Sequence, residues 1–429
     1  MHSFRYQDNR LVCEGVDLSA IADAVGTPAY VYSAETIRTN FQRLDRALAD
    51  LDHQICYAMK ANSNLAILNL LAGEGAGFDI VSGGELFRVL KAGGDASHCT
   101  FAGVGKTRSE IEQALRAGVH CFNVESEAEL AFIDKVAGSL GVVAPIAIRV
   151  NPNVDAGTHK YISTGKSQNK FGIGLDRAEQ VYREAAERKN LRILGVQTHI
   201  GSQILDPAPF AEAVGKLIPL VEKLKATYAI EFFSIGGGVG IVYDPALESG
   251  DPAWWMSNDH PRRITPEAYA EAVVPLLRPL GLKILLEPGR FLVGNAGALL
   301  ASVLYVKKTP AKTFTVVDAA MNDLIRPALY EGYHEIHPLT ADDSREPTSM
   351  DVVGPVCESG DFFAQDRSIP ALEAGERVAL LSAGAYGFVM SSNYNSRPLL
   401  PEVLVEGDEW TVVRERQNYE DLVRGEVIP

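Results

Sequence analysis

From the apolar run ending at Lys60 to the one ending at Glu287, eight short apolar runs with polar or glycine stops alternate with seven helix-like stretches. Strand-like runs end at Lys60, Ser82, Gly103, Glu125, Asn151, Gly201, Gly236 and Glu287. Helix-like segments lie near 64–73, 83–93, 107–118, 126–138, 176–188, 207–228 and 266–280. The 207–228 segment is the clearest, with Phe210, Val214, Leu217, Ile218, Val221 and Leu224 on one face. Eight strands alternating with helices predict the α/β class and a (β/α)8 TIM-like barrel, whose usual length is about 250 residues. A doubly wound open sheet fits less well, because no glycine-rich dinucleotide fingerprint follows the first strand.

After residue 291 the helical rhythm stops. Val303–Val306, Phe314–Val317, Met350–Val353, Arg377–Leu381, Glu402–Val405 and Trp410–Val413 read as strands between turns. The expected organisation is a barrel over 29–290 and an all-β sandwich or barrel domain formed by 1–28 and 291–429. Residues 1–28 read as short strands and turns, and a helix is expected from an N-cap at Ser33. Much of 241–265 reads as exposed loop, with Trp254 and Trp255 able to cap a cleft or pack on a partner; whether this segment is a lid stays open.

Composition removes several classes. A formal net charge of −15 argues against nucleic acid or an anionic membrane as a main partner. Five scattered cysteines without a CxxC pair suggest neither a disulfide framework nor a zinc site. No metal is expected. The longest charge-free apolar-leaning run, Phe291 to Val306, is 16 residues and too polar to span a bilayer. A cytoplasmic protein is expected. Gly103-Val-Gly-Lys-Thr107 resembles the end of a phosphate-binding loop, but the required first glycine falls at Thr100. His98-Cys99 and His120-Cys121 sit at strand starts, the end of a barrel where residues serve stability.

In a barrel of this kind the chemistry gathers at the C-terminal strand ends. Those ends offer Lys60, Asp79 and Ser82, Arg149, His199 and Ser202, Gly236-Gly237-Gly238, and Glu287 with Arg290. A lysine there is usually a solvated strand end, yet lysine is also the side chain that forms imines with carbonyls. The three glycines suit close approach of backbone N–H groups to a phosphate, or simply a flexible turn. A carboxylate at Glu287 suits a protonated pyridine nitrogen, or an ion-paired linker. Downstream, Arg326 and Tyr330 share a face at i and i+4, Cys357 stands beside Glu358 in a turn-rich stretch, and Tyr386 lies in a glycine-punctuated segment.

Taken together, Tyr57-Ala-Met-Lys60-Ala-Asn62, Phe78-Asp79-Ile-Val-Ser82-Gly-Gly-Glu85, His199-Ile-Gly-Ser202, Gly236-Gly-Gly238, Glu287-Pro-Gly-Arg290, Cys357-Glu-Ser-Gly-Asp361 and Gly384-Ala-Tyr-Gly387 resemble the meso-diaminopimelate decarboxylase family. That family belongs to the alanine-racemase-like, fold-type III pyridoxal-phosphate enzymes. The resemblance runs from about Thr27 to the end of the chain.

It implies pyridoxal 5'-phosphate as cofactor, held covalently by Lys60. Gly236, Gly237, Gly238, Ser202 and Tyr386 hold its phosphate with help from Arg290, Glu287 pairs with its ring nitrogen, and His199 stacks on the ring. The substrate implied is meso-2,6-diaminopimelate, decarboxylated at its D-centre to L-lysine and carbon dioxide, the last step of lysine biosynthesis. Arg290, Arg326, Tyr330 and Tyr386 bind substrate, with Glu358 on the distal ammonium. Cys357 returns a proton to the α-carbon. Cys357 and Glu358 come from a partner subunit, so a homodimer with shared sites is implied. Decarboxylases of ornithine, lysine or arginine with the same fold are the alternative, although their substrates lack the distal carboxylate that Arg326 and Tyr330 suit. A racemase would want a cation where Glu287 stands. A non-catalytic pyridoxal-phosphate-binding homologue is a third possibility.

Overall fold

A computed structural model describes residues 2–155, 170–256, 264–342 and 344–429. The chain divides into two compact units, one of Asn40–Ile241 and Pro261–Phe291, the other of Met1–Thr39, Val242–His260 and Leu292–Pro429.

The first unit is a closed barrel. Its parallel strands are β1 (His53–Ala58), β2 (Gly77–Ile80), β3 (Cys99–Phe101), β4 (Cys121–Val124), β5 (Ala144–Asn151), β6 (Leu191–Gln197), β7 (Phe232–Ser234) and β8 (Lys283–Leu286). Closure comes from β8 pairing with β1, with Ile284 opposite His53 and Leu286 opposite Ile55. Each strand is an almost wholly buried apolar run, as a parallel sheet covered on both faces requires. Helices α1 (Leu65–Gly73), α2 (Gly83–Lys91), α3 (Arg108–Ala117), α4 (Glu127–Leu140), α5 (Leu175–Ala186), α6 (Ala208–Tyr228) and α7 (Pro266–Leu277) alternate with them.

Short polar side chains set where those helices begin. Asn64 accepts the Ala66 N–H, Ser82 the Glu85 N–H, and Ser126 the Glu129 N–H. Thr107 and Glu110 form a reciprocal capping box on α3. Each cap sits where a strand's C-terminal end turns into a helix, so capping also fixes the rim that carries the chemistry. Inside the barrel, Cys121, Ala147, Leu194, Phe232 and Leu285 pack together. Gly195 has no side chain because a Cβ would collide with the Phe232 ring, and the β6 register shifts beside it.

The second unit is built on a mixed sheet. Its main path runs Phe362–Pro370, Pro347–Val353, Thr313–Val317, Gly297–Lys308, Ala29–Ser33, Glu402–Glu406 and Glu409–Arg414, with Arg377–Leu380 and Ile336–Pro338 joined alongside. Ala29–Ser33 pairs antiparallel with Gly297–Leu300 and parallel with Glu402–Val405, so residues from 29 onward lie in this sheet rather than in the barrel. The N-terminal segment forms a three-stranded meander, then a helix at Leu18–Val25 where only strands and turns were expected. Asp17 caps that helix, and Leu18, Ile21 and Ala22 bury it in a core shared with Phe4, Leu11, Val31, Leu300 and Val403. The next helix, Ala34–Ala47, begins as expected, with Ser33 Oγ accepting the Thr36 N–H at 3.0 Å.

The segment after residue 241 is less open than its sequence suggested. It carries a 3-10 turn at Glu248–Gly250 and a one-turn helix at Pro252–Met256, with Trp255 Nε1 donating to Ser249 O at 2.7 Å. The rest of that stretch, 257–263, lies outside the described residues. No helix among the described residues is long and apolar enough to cross a membrane.

The glycine-lysine motif at 103–107 is structural. Lys106 Nζ donates to Gly103 O and Asn123 O, both at 2.8 Å, and to Glu129 Oε1 at 2.6 Å, with the side chain 1% exposed. Removing the lysine strands a buried carboxylate. We therefore expect Lys106→Ala to lower stability by about 3–5 kcal/mol in chemical denaturation. Adding Glu129→Ala to that variant should cost little more, because the second change removes the stranded charge.

Candidate active site

The C-terminal rim of the barrel collects the polar residues that the strands deliver. Lys60 follows β1 in a 3-10 turn, Met59–Ala61, and its Nζ reaches Asp79 Oδ2 on β2 at 2.8 Å. The lysine is partly exposed (40%) and the aspartate almost fully buried (1%), so the ammonium stands at the edge of a dry carboxylate. Asp79 Oδ1 is buried without a hydrogen bond. Glu85, in the first turn of α2, takes the Val81 N–H at 2.6 Å, and burial pushes its carboxyl up to about 7.

Glu287, just after β8, is 6% exposed. Its Oε1 accepts from Ser234 Oγ at 2.7 Å and its Oε2 from Gln197 Nε2 at 2.8 Å, with Asn123 Nδ2 3.5 Å from Oε1. Burial, reinforced by the nearby Asp79 charge, pushes this carboxyl up to about 7 against those hydrogen bonds.

On the same rim, His199 Nδ1 accepts the Gly237 N–H at 3.2 Å. An amide can only donate, so Nδ1 carries no proton. Burial, with Arg149 and Lys60 nearby, holds the imidazole well below its usual range, so the ring is neutral. Arg149 Nη1 in turn holds Glu125 Oε1 at 2.9 Å.

The three glycines after β7 are demanded first by the chain itself. Gly236 and Gly238 sit at φ +72° and +110°. A Cβ at Gly237 would collide with the Glu287 carbonyl oxygen. The Gly237 N–H is committed to His199, and Arg290 Nη2 reaches Ser202 Oγ at 3.2 Å. These residues fit pyridoxal phosphate. A buried carboxylate that resists ionisation calls for a cationic N–H partner, which a pyridinium supplies. A lysine and a flat neutral ring stand at the same rim.

Within the second unit, Arg326 opens a one-turn helix, Arg326–Tyr330, and is 7% exposed. Its Nη1 lies 2.7 Å from His334 Nε2, and its guanidinium carbon 4.6 Å from the Tyr243 ring centre. Tyr330, half-buried, ends the same helix, so the expected i, i+4 pair exists. Cys357 and Glu358 are exposed, on a turn held from below. Asp361 accepts the Val356 N–H at 2.6 Å and the Met321 N–H at 2.7 Å. Tyr386 adopts φ +56°, a conformation a tyrosine rarely takes. Gly384, two residues before it, leaves no room for a Cβ against Val293 O.

Geometry thus brings Lys60, His199, Ser202, Gly236, Gly237, Gly238, Glu287 and Arg290 to one barrel rim, and Arg326, Tyr330, Cys357, Glu358 and Tyr386 to the other unit. Sequence reasoning did not pick out Asn123, Gln197 and Ser234, the donors around Glu287. Asn123 is the one polar residue inside an apolar strand, while Gln197 and Ser234 are polar residues at strand ends, and those patterns were the available signal.

Comparison with known proteins agrees with this geometry. Residues 34–294 match the family described as pyridoxal-dependent decarboxylase, pyridoxal binding domain. The chain is 49% identical to the diaminopimelate decarboxylase of Pseudomonas aeruginosa, over 99% of each chain. It is 48% identical to that of Vibrio cholerae, over 98% of each. Among solved structures, the diaminopimelate decarboxylase of Helicobacter pylori complexed with L-lysine superposes with a TM-score of 0.88 at 42% identity, covering 95% of this chain and 98% of that one. The enzyme of M. jannaschii in co-complex with L-lysine gives a TM-score of 0.91 at 36% identity, covering 100% and 98%. With full-length identity at this level and a fold that matches, the chain belongs to the diaminopimelate decarboxylases, within the pyridoxal-dependent decarboxylase family.

Proposed function

We propose that this protein decarboxylates meso-2,6-diaminopimelate at its D-centre, giving L-lysine and carbon dioxide as the last step of lysine biosynthesis. The observation that carries the reading is the buried, hydrogen-bonded Glu287 carboxylate on the rim that also bears Lys60 and a neutral His199. Pyridoxal phosphate, when bound, supplies a carbonyl carbon for the substrate amine and a ring that accepts the electrons of the broken bond.

The chain's own residues do the rest. Lys60 provides the amine that anchors the cofactor, and Asp79 holds that amine in its ammonium form whenever it is released. Ser234 and Gln197 fix both oxygens of Glu287, so its charge faces the ring nitrogen and keeps a proton there. His199, neutral and buried, offers a flat face without adding charge. Gly236, Gly237, Gly238, Ser202, Arg290 and Tyr386 form the phosphate site. Arg290, Arg326, Tyr330 and Tyr386 bind substrate, and Glu358 takes the distal ammonium. The α-carboxylate departs with its Cα–C electrons left behind, and the Cys357 thiol delivers the proton that replaces it. The proposed functional division is a cofactor-binding barrel and a β-domain, with the Ala29–Ser33 strand belonging to the β-domain.

We further propose a homodimer in the cytoplasm, with Cys357 and Glu358 supplied by the partner subunit. Their exposure on a braced turn supports this, because a proton donor must be excluded from water to act cleanly. The acidic net charge of −15 is in keeping with a soluble enzyme acting on a small zwitterion.

The direct test is carbon dioxide release from meso-diaminopimelate against L-ornithine and L-lysine, with L-lysine identified as product. Preference for either monocarboxylate would overturn the substrate assignment.

Mixing Lys60→Ala and Cys357→Ala homodimers under conditions of subunit exchange should restore about a quarter of wild-type activity, since each mixed dimer regains one intact site. Cys357→Ala alone should keep its cofactor, trapped on Lys60 by borohydride. No recovery on mixing would place both residues in the same chain's site.

Glu287 also sets a pH dependence. Its folded carboxyl titrates near 7 instead of 4.5, so in the cofactor-free protein it disfavours the fold above about pH 7, and this cost vanishes as pH falls below about 4.5. Cofactor-free Glu287→Gln should therefore gain stability relative to wild type, little at pH 5 and rising to on the order of 3 kcal/mol by pH 8 in denaturation. The same variant should bind cofactor more weakly.

A further inference from the structure

Arg326 is held by a histidine. His334 is fully buried, and its two ring nitrogens have different partners. Nδ1 lies 2.8 Å from Leu381 O, and Nε2 lies 2.7 Å from Arg326 Nη1. A carbonyl oxygen can only accept, so Nδ1 carries the proton. A guanidinium can only donate, so Nε2 is the bare acceptor. The two contacts therefore fix one neutral tautomer between them, and protonating Nε2 would set two donors against each other.

Both partners are themselves fixed. The His334 backbone oxygen accepts from Arg367 Nη1 at 3.0 Å, and Leu381 N donates to Glu335 O at 2.9 Å, which continues the pairing of Ile336–Pro338 with Arg377–Leu380. The Tyr243 ring completes a triangle, edge-on to His334 at 5.7 Å and 86°, and flat beneath the Arg326 guanidinium. The Gly332 N–H bonds to Arg326 O at 3.1 Å, closing the one-turn helix behind the arginine.

We propose that His334 is a specificity-determining positioning residue: as its Nδ1–H tautomer it aims Arg326 at the distal carboxylate of the substrate. This rests on the reading of Arg326 as the residue that binds that carboxylate. A neutral acceptor suits the task for a physical reason. A carboxylate at the same place would fix the guanidinium equally well but would cancel the charge needed for an anionic ligand. An imidazole fixes the plane of the fork and leaves the positive charge to the substrate. Tyr243 contributes the second constraint, since the guanidinium carbon sits over its ring, 4.6 Å from the centre.

The experiment compares two competitive inhibitors of the holoenzyme. L-lysine carries the distal carboxylate and amine; cadaverine is the same diamine without the carboxylate. His334→Phe keeps a buried ring and removes both nitrogens. His334→Gln keeps an acceptor near the Nε2 position. Arg326→Leu is the reference. In His334→Phe we expect Ki for L-lysine and KM for meso-diaminopimelate to rise about 10–100-fold. Ki for cadaverine should change less than threefold, and cofactor absorbance should be unchanged. His334→Gln should recover part of the loss.

If Arg326→Leu weakens L-lysine alone while His334→Phe weakens both inhibitors equally or neither, the role of His334 is overturned and that of Arg326 stands. If Arg326→Leu itself fails to distinguish the two inhibitors, the reading of Arg326 is wrong and the inference falls with it. Should His334→Phe not fold, His334→Gln decides: a selective loss for L-lysine smaller than that of Arg326→Leu supports the role, and equal effects on both inhibitors overturn it.

Discussion

A carboxylate buried at the end of a parallel barrel is expensive to keep, and the barrel rim is arranged around making it tolerable. Glu287 leaves β8 and meets Ser234 from β7, Gln197 from β6 and Asn123 from β4. Four strands thus spend interior positions on polar side chains in a core otherwise filled by Phe232, Leu285, Leu194 and Ala147. Hydrogen bonds reduce the desolvation penalty without removing it, which is why the carboxyl remains pushed up. The surrounding backbone is shaped by the same residue. Gly237 lacks a side chain because the Glu287 carbonyl fills that space, and its N–H then fixes the His199 tautomer. The carboxylate accordingly sets strand composition, and the backbone carbonyl of the same residue requires the glycine.

The second unit solves a different problem, which is to hold exposed chemical groups still. Asp361 and Asp323 are buried acids whose carboxyls are raised by burial and which accept backbone N–H groups from neighbouring turns. Met321, Val356 and Ala320 are tied down by them, and so are the turns that lead to Arg326 and to Cys357. Rigid bracing beneath a solvent-facing thiol costs conformational entropy and gains nothing for an isolated chain. It makes sense where the thiol must meet a reacting atom in a fixed position.

The barrel was legible because its signal is repeated. Eight apolar runs, each stopped by a polar or glycine residue, constrain the fold more than any single segment could. Lys60, His199, Glu287 and Arg290 were visible for a related reason, since strand ends are where a barrel displays side chains. Gln197, Ser234 and Asn123 were hidden because a polar residue inside a strand does not announce which way it faces. The helix at Leu18–Val25 was missed because its eight residues mix with short strands, and only tertiary burial of Leu18 and Ile21 makes it worthwhile. The strand at Phe362–Pro370 was missed because Gln365, Asp366 and Arg367 interrupt its apolar pattern, although its edge position tolerates them. His334 carried no sequence signal at all. Its role depends on which atoms its two nitrogens face, and that is information only coordinates hold.

Each unit carries one buried charged side chain held by uncharged partners. At the ring nitrogen the chain places a carboxylate, which favours the protonated, strongly electron-withdrawing form and so commits the site to cleaving a bond whose electrons need somewhere to go. A cation there would weaken that pull and suit a reversible proton exchange instead. In the second unit Arg326 is held by an imidazole and an aromatic ring, neither of which brings a negative charge to it. Buried Glu287 is held by neutral donors and buried Arg326 by a neutral acceptor. In both places neutral partners set the geometry and the charge is left for the molecule that binds.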